Sequence, residues 1–282
     1  MSAKRIAILV NTNKPGAAEQ VHELRGWLEK RAKVIGEAGS YDEPPEEFAS
    51  ADLCVVFGGD GTLLSAARAL AGSGVPLLGV NLGKLGFLAD FSVEHFRKHL
   101  DGILAGNVTP TERMMLEVRR FTGDREEFFS PAANDLAIVA GPPFRMIDLN
   151  VARGGDDIAR YLGDGLVVAT PTGSTGYNMS VGGPILEPSM DAVTITPIAP
   201  HTLSLRPMVV HGDGPIRIKA VDVNDGTTLI VDGQVCTPLK ACDMVEVRRS
   251  PRPALIVPHP GRSFFSTLSD KLQWGRSPHH TS

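Results

Sequence analysis

Residues 54 to 64, CVVFGGDGTLL, set an aspartate into a glycine cluster that directly follows a run of apolar, mostly β-forming residues. Glycines in that position usually let backbone N–H groups approach a phosphate. Asp60 would repel such a phosphate by about 1 to 4 kcal/mol at separations of ~4 to 15 Å and an effective dielectric near 20. That charge is tolerable if a cation bridges it or if the carboxylate has its own task. Two tasks fit: accepting the proton of an attacking hydroxyl, and helping to hold the magnesium that shields the phosphates. Both are phosphoryl-transfer chemistry. The plainer alternative is an Asx turn or a helix cap, because Asp and Gly are common turn formers. The cluster matches neither G-x-G-x-x-G nor G-x-x-x-x-G-K-[ST]. Gly58, Gly59 and Gly61 would permit close approach of a ligand, and Thr62 could cap the helix that follows.

A second cluster, TPTGSTGYNMSVGGP at 170 to 184, carries hydroxyls on Thr170, Thr172, Ser174 and Thr175. Gly173 and Gly176 free backbone amides beside them, and Tyr177 offers an aromatic face for stacking. The set suits ribose, phosphate and base edges, although Thr, Ser and Gly are also what ordinary helix-capping loops contain. Too few of its residues are apolar for it to be core. Asn134 with Asp135, and Asp164 in YLGDGLVV, stand at the starts of apolar strands, where turn chemistry alone often puts such residues.

The elements that must position these groups change in character along the chain. Up to about residue 105 short apolar runs alternate with helical periodicity, the pattern of an α/β layer with a mainly parallel sheet. Strands are expected at Arg5 to Val10, Asp52 to Phe57 and Val75 to Val80. Helices are expected from Pro15 (Ala17, Val21, Leu24 and Leu28 on one face), from Thr62 to Ala71, and from about Val93 to Ala105. Beyond residue 110 the apolar segments are short and separated by turns: Met115 to Phe121, Asp135 to Val139, Ile147 to Ala152, Leu166 to Ala169, Ala192 to Thr196, Ile216 to Val221, Leu229 to Asp232 and Met244 to Arg248. That is an all-β domain. FFSTLSDKLQW near the end is an amphipathic helix through Phe264, Leu268 and Leu272, and could return to the first domain. The division expected is 1–108, 109–250 and a return segment 251–282.

Length and charge exclude other classes. The 282 residues suffice for two cores, and a formal charge of −4 with interspersed signs leaves no nucleic-acid footprint or polybasic membrane patch. The apolar stretch in MSAKRIAILVNTNK is too short for a signal peptide or a membrane span, which implies the cytoplasm. Cys54, Cys236 and Cys242 are odd in number and lack metal-ligand spacing, so they read as buried or inert thiols. His279 and His280 read as a frayed polar tail rather than a metal site.

Taken together, FGGDGTLL (57 to 64), AANDLAIV (132 to 139) and DGLVVATPTGSTGYNMSVGGPIL (164 to 186) resemble the signatures of the NAD kinase family, ATP- or polyphosphate-dependent and of bacterial type. The resemblance continues through PIAPHTLSLRPMVV, VDGQ (231 to 234) and SFFSTLSDKLQWG, and so covers most of the chain. GGDGT alone is shared with diacylglycerol, sphingosine and 6-phosphofructokinases; the long second signature is far more specific. The resemblance implies transfer of the γ-phosphate of ATP, with a divalent metal such as Mg²⁺, to the 2′-hydroxyl of the adenosine ribose of NAD. It implies a Rossmann-like α/β N-terminal domain and an all-β C-terminal domain, with the C-terminal segment packing back on the first. It implies homodimers or homotetramers in which a neighbouring β domain helps complete the NAD site.

By the same resemblance Asp60 is the general base and Gly61 lies against the dinucleotide. Asn134 and Asp135 contact its adenine and ribose groups, and Asp164 is a further polar ligand. Thr172 and the segment Thr175, Gly176, Tyr177, Asn178, Met179 and Ser180 wrap the dinucleotide, with Gln234 and Arg145 as ligand-facing polar residues. No protein metal ligands are implied. Three positions depart from the family pattern: Gly176 and Val181 stand where Ala is usual, and Leu162 where many bacterial relatives carry Arg or Lys. A lipid kinase is the runner-up, although an Asn-Glu pair soon after GGDGT is common there and LLSAARAL stands here instead. A non-catalytic NAD(P) sensor would have no need of Asp60.

Overall fold

The structure, a computed structural model, describes residues 3–13, 16–39, 43–83, 86–202 and 204–273. Pro15, the expected helix start, and His279 and His280 lie outside them. The chain divides into two compact units, residues 1–112 with 254–282 and residues 113–253.

The first unit is an α/β layer. Its sheet runs in the order Lys33–Gly39, Arg5–Val10, Leu53–Phe57, Leu77–Asn81, Ala254–Ile256, Thr111–Arg113, with Phe91–Ser92 also pairing Leu77–Asn81. The first five strands pair in parallel. Every residue of Leu53–Phe57 and Leu77–Asn81 is buried, as a parallel strand covered on both faces requires. The core joins Ile6, Ile8, Val55, Phe57, Leu78 and Val80 to Leu24, Leu28, Phe96 and Leu100 of the covering helices. The strand Lys33–Gly39 was not expected: KVIGEAG is a half-exposed edge, too polar to register as an apolar run. The helix Val93–Leu104 starts where Ser92 Oγ accepts the His95 N–H at 3.1 Å. The return segment joins this unit through Ala254–Ile256, and its helix Phe264–Leu272 carries a Ser263/Ser266 capping box with Leu268 buried.

The second unit holds two six-stranded antiparallel sheets. One runs Asp156–Gly163, Ile147–Arg153, Ile216–Asp222, Met244–Arg249, Leu116–Thr122, Arg125–Ala132; the other runs Met208–His211, Ala192–Ile198, Gly165–Ala169, Asp135–Val139, Thr228–Val231, Val235–Pro238. Leu136, Ile138, Leu166 and Val168 of the second sheet share a core with Val118, Leu149, Ile218 and Val245 of the first. The opposite face of the second sheet shows Ala137, Val167 and Ala169, with Val181 packed on them. The segment 170–186 therefore lies over a sheet face. This corrects its reading as a non-core loop, because Thr170, Thr172, Ser174 and Asn178 are all buried.

Candidate functional site

In the first unit the chemistry gathers at the carboxyl edge of neighbouring parallel strands, the edge where such sheets bind ligands. Leu53–Phe57 leads into Gly58 and Gly59, and the helix begins at Asp60 rather than at Thr62. Asp60 thus sits in the first turn, where a negative charge is favoured by the helix dipole. Thr62 does not cap; it is buried, and its Oγ1 accepts from Asn11 Nδ2 at 3.2 Å. A Cβ on Gly58 would overlap the Thr62 side chain, so that glycine serves packing, whereas Gly59 has open space beside it.

Leu77–Asn81 leads into a second loop on the same edge. Asp60 reaches across to it: Oδ2 accepts the Phe87 N–H at 2.8 Å, and Oδ1 accepts those of Leu88 and Ala89 at 3.0 and 2.9 Å. A Cβ on Gly86 would overlap the Asp60 carboxylate. The aspartate among glycines therefore meets N–H donors before it meets any ligand. A carboxylate offers about four acceptor positions, and three are taken, leaving one on Oδ2 without a donor among the described residues. Gly61 follows Asp60 on the same helix turn. Nothing in the sequence marked residues 86–89 as partners of Asp60; the available signal was a glycine-containing loop at the end of an adjacent parallel strand.

In the second unit, Ala169 pairs with Asp135, and Thr170 to Gly176 lie beside Asn134. Thr170 joins the two segments: its N–H donates to Asn134 O and its Oγ1 to Ala133 O, both at 2.8 Å. A Cβ on Gly173 would overlap Asn134 O. Beneath them is Asp232, whose carboxylate accepts the N–H groups of Ala133, Asn134 and Asp135 at 3.0, 2.7 and 3.1 Å. Sequence reasoning passed over Asp232; its signal was VDGQ, an Asp-Gly turn in which Asp232 takes a φ of 49°. Gln234 closes that same turn, donating its N–H to Val231 O.

Two buried polar atoms here have no hydrogen-bond partner among the described residues, Asn134 Oδ1 and Thr172 Oγ1. Such atoms cost free energy unless something binds them. Tyr177 and Ser180 are exposed, and Thr175, Gly176 and Met179 are half-buried. Asn178 is different. It is fully buried, donates to Ser174 O and Pro184 O, and accepts from Thr194 and Thr196, so it braces the segment from inside. The departure at Gly176 costs little geometrically. A Cβ there would meet Gly173 O at 3.2 Å and Asn134 Nδ2 at 3.4 Å, a few tenths of an ångström of adjustment.

Asp135 is buried, and that burial, followed by the charge of Asp232, pushes its carboxyl up from 3.8 to about 7. Near neutrality part of the population therefore still carries a proton it can donate. Between about pH 4 and 7 the folded chain keeps a proton that the unfolded chain releases, so this group's contribution to stability falls as pH rises through that window and levels off above it. Thermal unfolding should accordingly show Asp135→Asn gaining midpoint relative to the parent from pH 5 to pH 8; parallel curves would reject the shift.

Asp164 and Arg145 are not brought to this cluster. Gly165 pairs with Val139 and Ala169 with Asp135, so Asp164 and the loop carrying Arg145 stand at the far end of the same strands. Five strand residues span about 13 to 17 Å. The donor set for a divalent metal is also sparse: among the described residues no group of three or more His, Cys, Asp or Glu side chains could hold a metal ion. Cys54 is buried, whereas Cys236 and Cys242 are exposed, and all three are free. No helix among the described residues is long and apolar enough to cross a membrane.

The chain matches the sequence models of the ATP-NAD kinase N-terminal domain over residues 40–108 and of the ATP-NAD kinase C-terminal domain over 133–259. It is 39% identical to the NAD kinase of Geobacter metallireducens and 40% identical to that of Geotalea daltonii, in each case over 96% of this chain and 99% of the relative. Among solved structures, an NAD kinase from Archaeoglobus fulgidus in complex with ATP is similar with a TM-score of 0.77 and 27% identity, over 95% of this chain and 98% of the other. Yeast NADH kinase complexed with NADH shares the fold with a TM-score of 0.87 at 24% identity, covering 100% and 91%. These likenesses do not favour the lipid-kinase and sensor readings. With both domain models matched in order and full-length relatives at this identity, the chain belongs to the NAD kinase family, phosphotransferases with a hydroxyl acceptor.

Proposed function

We propose that this chain transfers the γ-phosphoryl group of ATP to the 2′-hydroxyl of the adenosine ribose of NAD, giving NADP and ADP. The observation that carries the reading is the one acceptor position left on Asp60 Oδ2. The hydroxyl proton passes to Oδ2 as its oxygen bonds to the γ-phosphorus, the bond to the β,γ-bridging oxygen breaks, and the proton leaves to solvent afterwards. Base catalysis of this kind contributes about 10² to 10⁴-fold, and positioning supplies much of the rest. In the second unit Asn134, Asp135 and Thr172 recognise adenine and ribose groups, with Gly176, Tyr177 and Ser180 alongside.

A divalent cation accompanies ATP and neutralises phosphate charge. Among the described residues no cluster of ligands would hold it, and the one carboxylate in the glycine cluster already accepts three N–H bonds. Mg²⁺ commonly takes most of its ligands from water and substrate phosphates. Copies of the chain are inferred to assemble as a homodimer or homotetramer, as the family resemblance implies, with Asp164 and Arg145 standing a strand's length from Asn134. The purified protein with NAD, ATP and Mg²⁺ should form NADP. Phosphorylation of a diacylglycerol or sphingoid base without NADP would overturn the reading.

A further inference from the structure

Three imidazoles that the proposed reaction does not use meet in the first unit. His95 and His99 lie on the helix Val93–Leu104, and His259 reaches them from the return segment, with ring centroids 4.8 and 5.6 Å away. They do not form a metal centre; two of them share a proton-bearing contact instead. His259 is buried, and its Nε2 stands 3.0 Å from His95 Nδ1. A backbone donor assigns the tautomer. Gly261 N–H donates to His259 Nδ1 at 3.0 Å, so that ring carries its own proton on Nε2 and donates it to His95 Nδ1. A second proton on either ring would remove one of these acceptors, so the contact is closed only while both rings are neutral. Burial first, then the charges of His95, His99, Arg262 and Lys98, hold His259 down from 6.5 to about 4. The unfolded ring binds a proton more readily, so this group's contribution to stability is full above about pH 6.5 and is lost as pH falls toward 4.

The pair stands beside the loop that Asp60 grips. Ala89, the last of the three donors to Asp60, is followed directly by Asp90, Phe91 and Ser92. Each of these is tied to the return segment or to the helix. Asp90 Oδ1 lies 3.8 Å from Arg262 Nε, the buried Phe91 ring packs on His259 with centroids 4.8 Å apart, and Ser92 caps the helix turn that carries His95. The segment 87–95 is thus held by Asp60 at one end and by the histidine pair at the other. We propose that His95 and His259 are positioning residues for Asp60: their hydrogen bond clasps residues 259–262 to residues 90–95 and so fixes the Phe87, Leu88 and Ala89 N–H groups that aim the carboxylate. A misplacement of about 1 Å at a reacting group can cost about 10²-fold in rate, so a clasp remote from the chemistry still bears on it. This rests on Asp60 acting as the base in the kinase reading given above.

The test uses the full-length chain. His95→Leu removes the acceptor of the His259 Nε2–H, whereas His95→Asn puts an amide oxygen where Nδ1 stands. At pH 7.5 His95→Leu should lower kcat for NADP formation about 10 to 100-fold with KM for NAD and for ATP within about twofold of parental, and His95→Asn should restore most of the rate. In an Asp60→Asn background His95→Leu should cost no more than about twofold further, because its effect passes through the carboxylate. Equal losses in both backgrounds, parental kcat in His95→Leu, or a loss that His95→Asn does not restore would each overturn the proposal. Should His95→Leu not fold, His95→Ser, too short to reach His259, takes its place with the same expected split. If the parent made no NADP, the kinase reading would fail separately, and hydrogen–deuterium exchange would decide the clasp. Exchange at residues 87–89 should then be about tenfold or more faster in His95→Leu than in the parent, with residues 133–135 unchanged. Parental exchange at 87–89 would remove the histidine pair from any role in holding that loop.

Discussion

Asp60→Asn is expected to lower kcat for NADP formation by about 10² to 10⁴-fold, the contribution of a positioned base. The same substitution should also destabilise the protein. The carboxylate is an acceptor for three backbone N–H groups, of Phe87, Leu88 and Ala89. An amide offers one acceptor oxygen and turns its NH₂ toward donors it cannot satisfy, which costs about 1 to 3 kcal/mol for an unsatisfied buried group. Steady-state kinetics together with thermal unfolding separate the two roles. Loss of stability with full kcat would leave Asp60 as the clasp of the 86–89 loop and remove it as the base. Loss of kcat with the fold intact at the assay temperature is the expected result. The two roles would suit one residue: three N–H bonds fix the carboxylate in place, so the remaining lone pair of Oδ2 points in one direction without further ordering.

Asp232→Ala should be the most damaging change in the second unit, costing about 2 to 5 kcal/mol, the range for breaking a buried hydrogen-bond network. Three N–H groups, of Ala133, Asn134 and Asp135, lose their acceptor at once. Where the protein still folds, KM for NAD should rise more than KM for ATP, because the backbone that carries Asn134 and Asp135 is no longer held. Asp232→Asn is the informative partner. Asn tolerates the positive φ of this position, so the turn survives while part of the acceptor capacity is lost. An intermediate loss of stability is expected. If Asp232→Asn and Asp232→Ala are equally harmless, Asp232 does not organise this site.

Much of the architecture was legible because it depends on local patterns. Buried parallel strands such as LCVVF read as continuous apolar runs, and Ile216–Asp222 alternates buried and exposed positions as one sheet face against solvent demands. Most of the elements that the sequence does not reveal, Lys33–Gly39 and Met208–His211 among them, are edge strands with one neighbour and little apolar burial; Ala254–Ile256 lies between two strands but is only three residues long. Their strand character comes from a partner's hydrogen bonds and leaves little trace in their own side chains.

The residues of the site divide in the same way. By itself the sequence determined the fold class, the family and the presence of Asp60, Asn134, Asp135 and the segment 172 to 180, since each lies in a contiguous motif whose composition is chemical. Only the tertiary structure decided what those residues do. It shows Asp60 gripping a loop 27 to 29 residues downstream, Asp232 supporting Asn134 from 98 residues away, and Asn178 turned inward as a brace. It also separates Asp164 and Arg145 from the cluster they were grouped with. The physical reason is that a carboxylate or an amide is completed by whichever donors the fold brings within about 3 Å. That distance is set by strand register and loop closure, and no spacing along the chain encodes it.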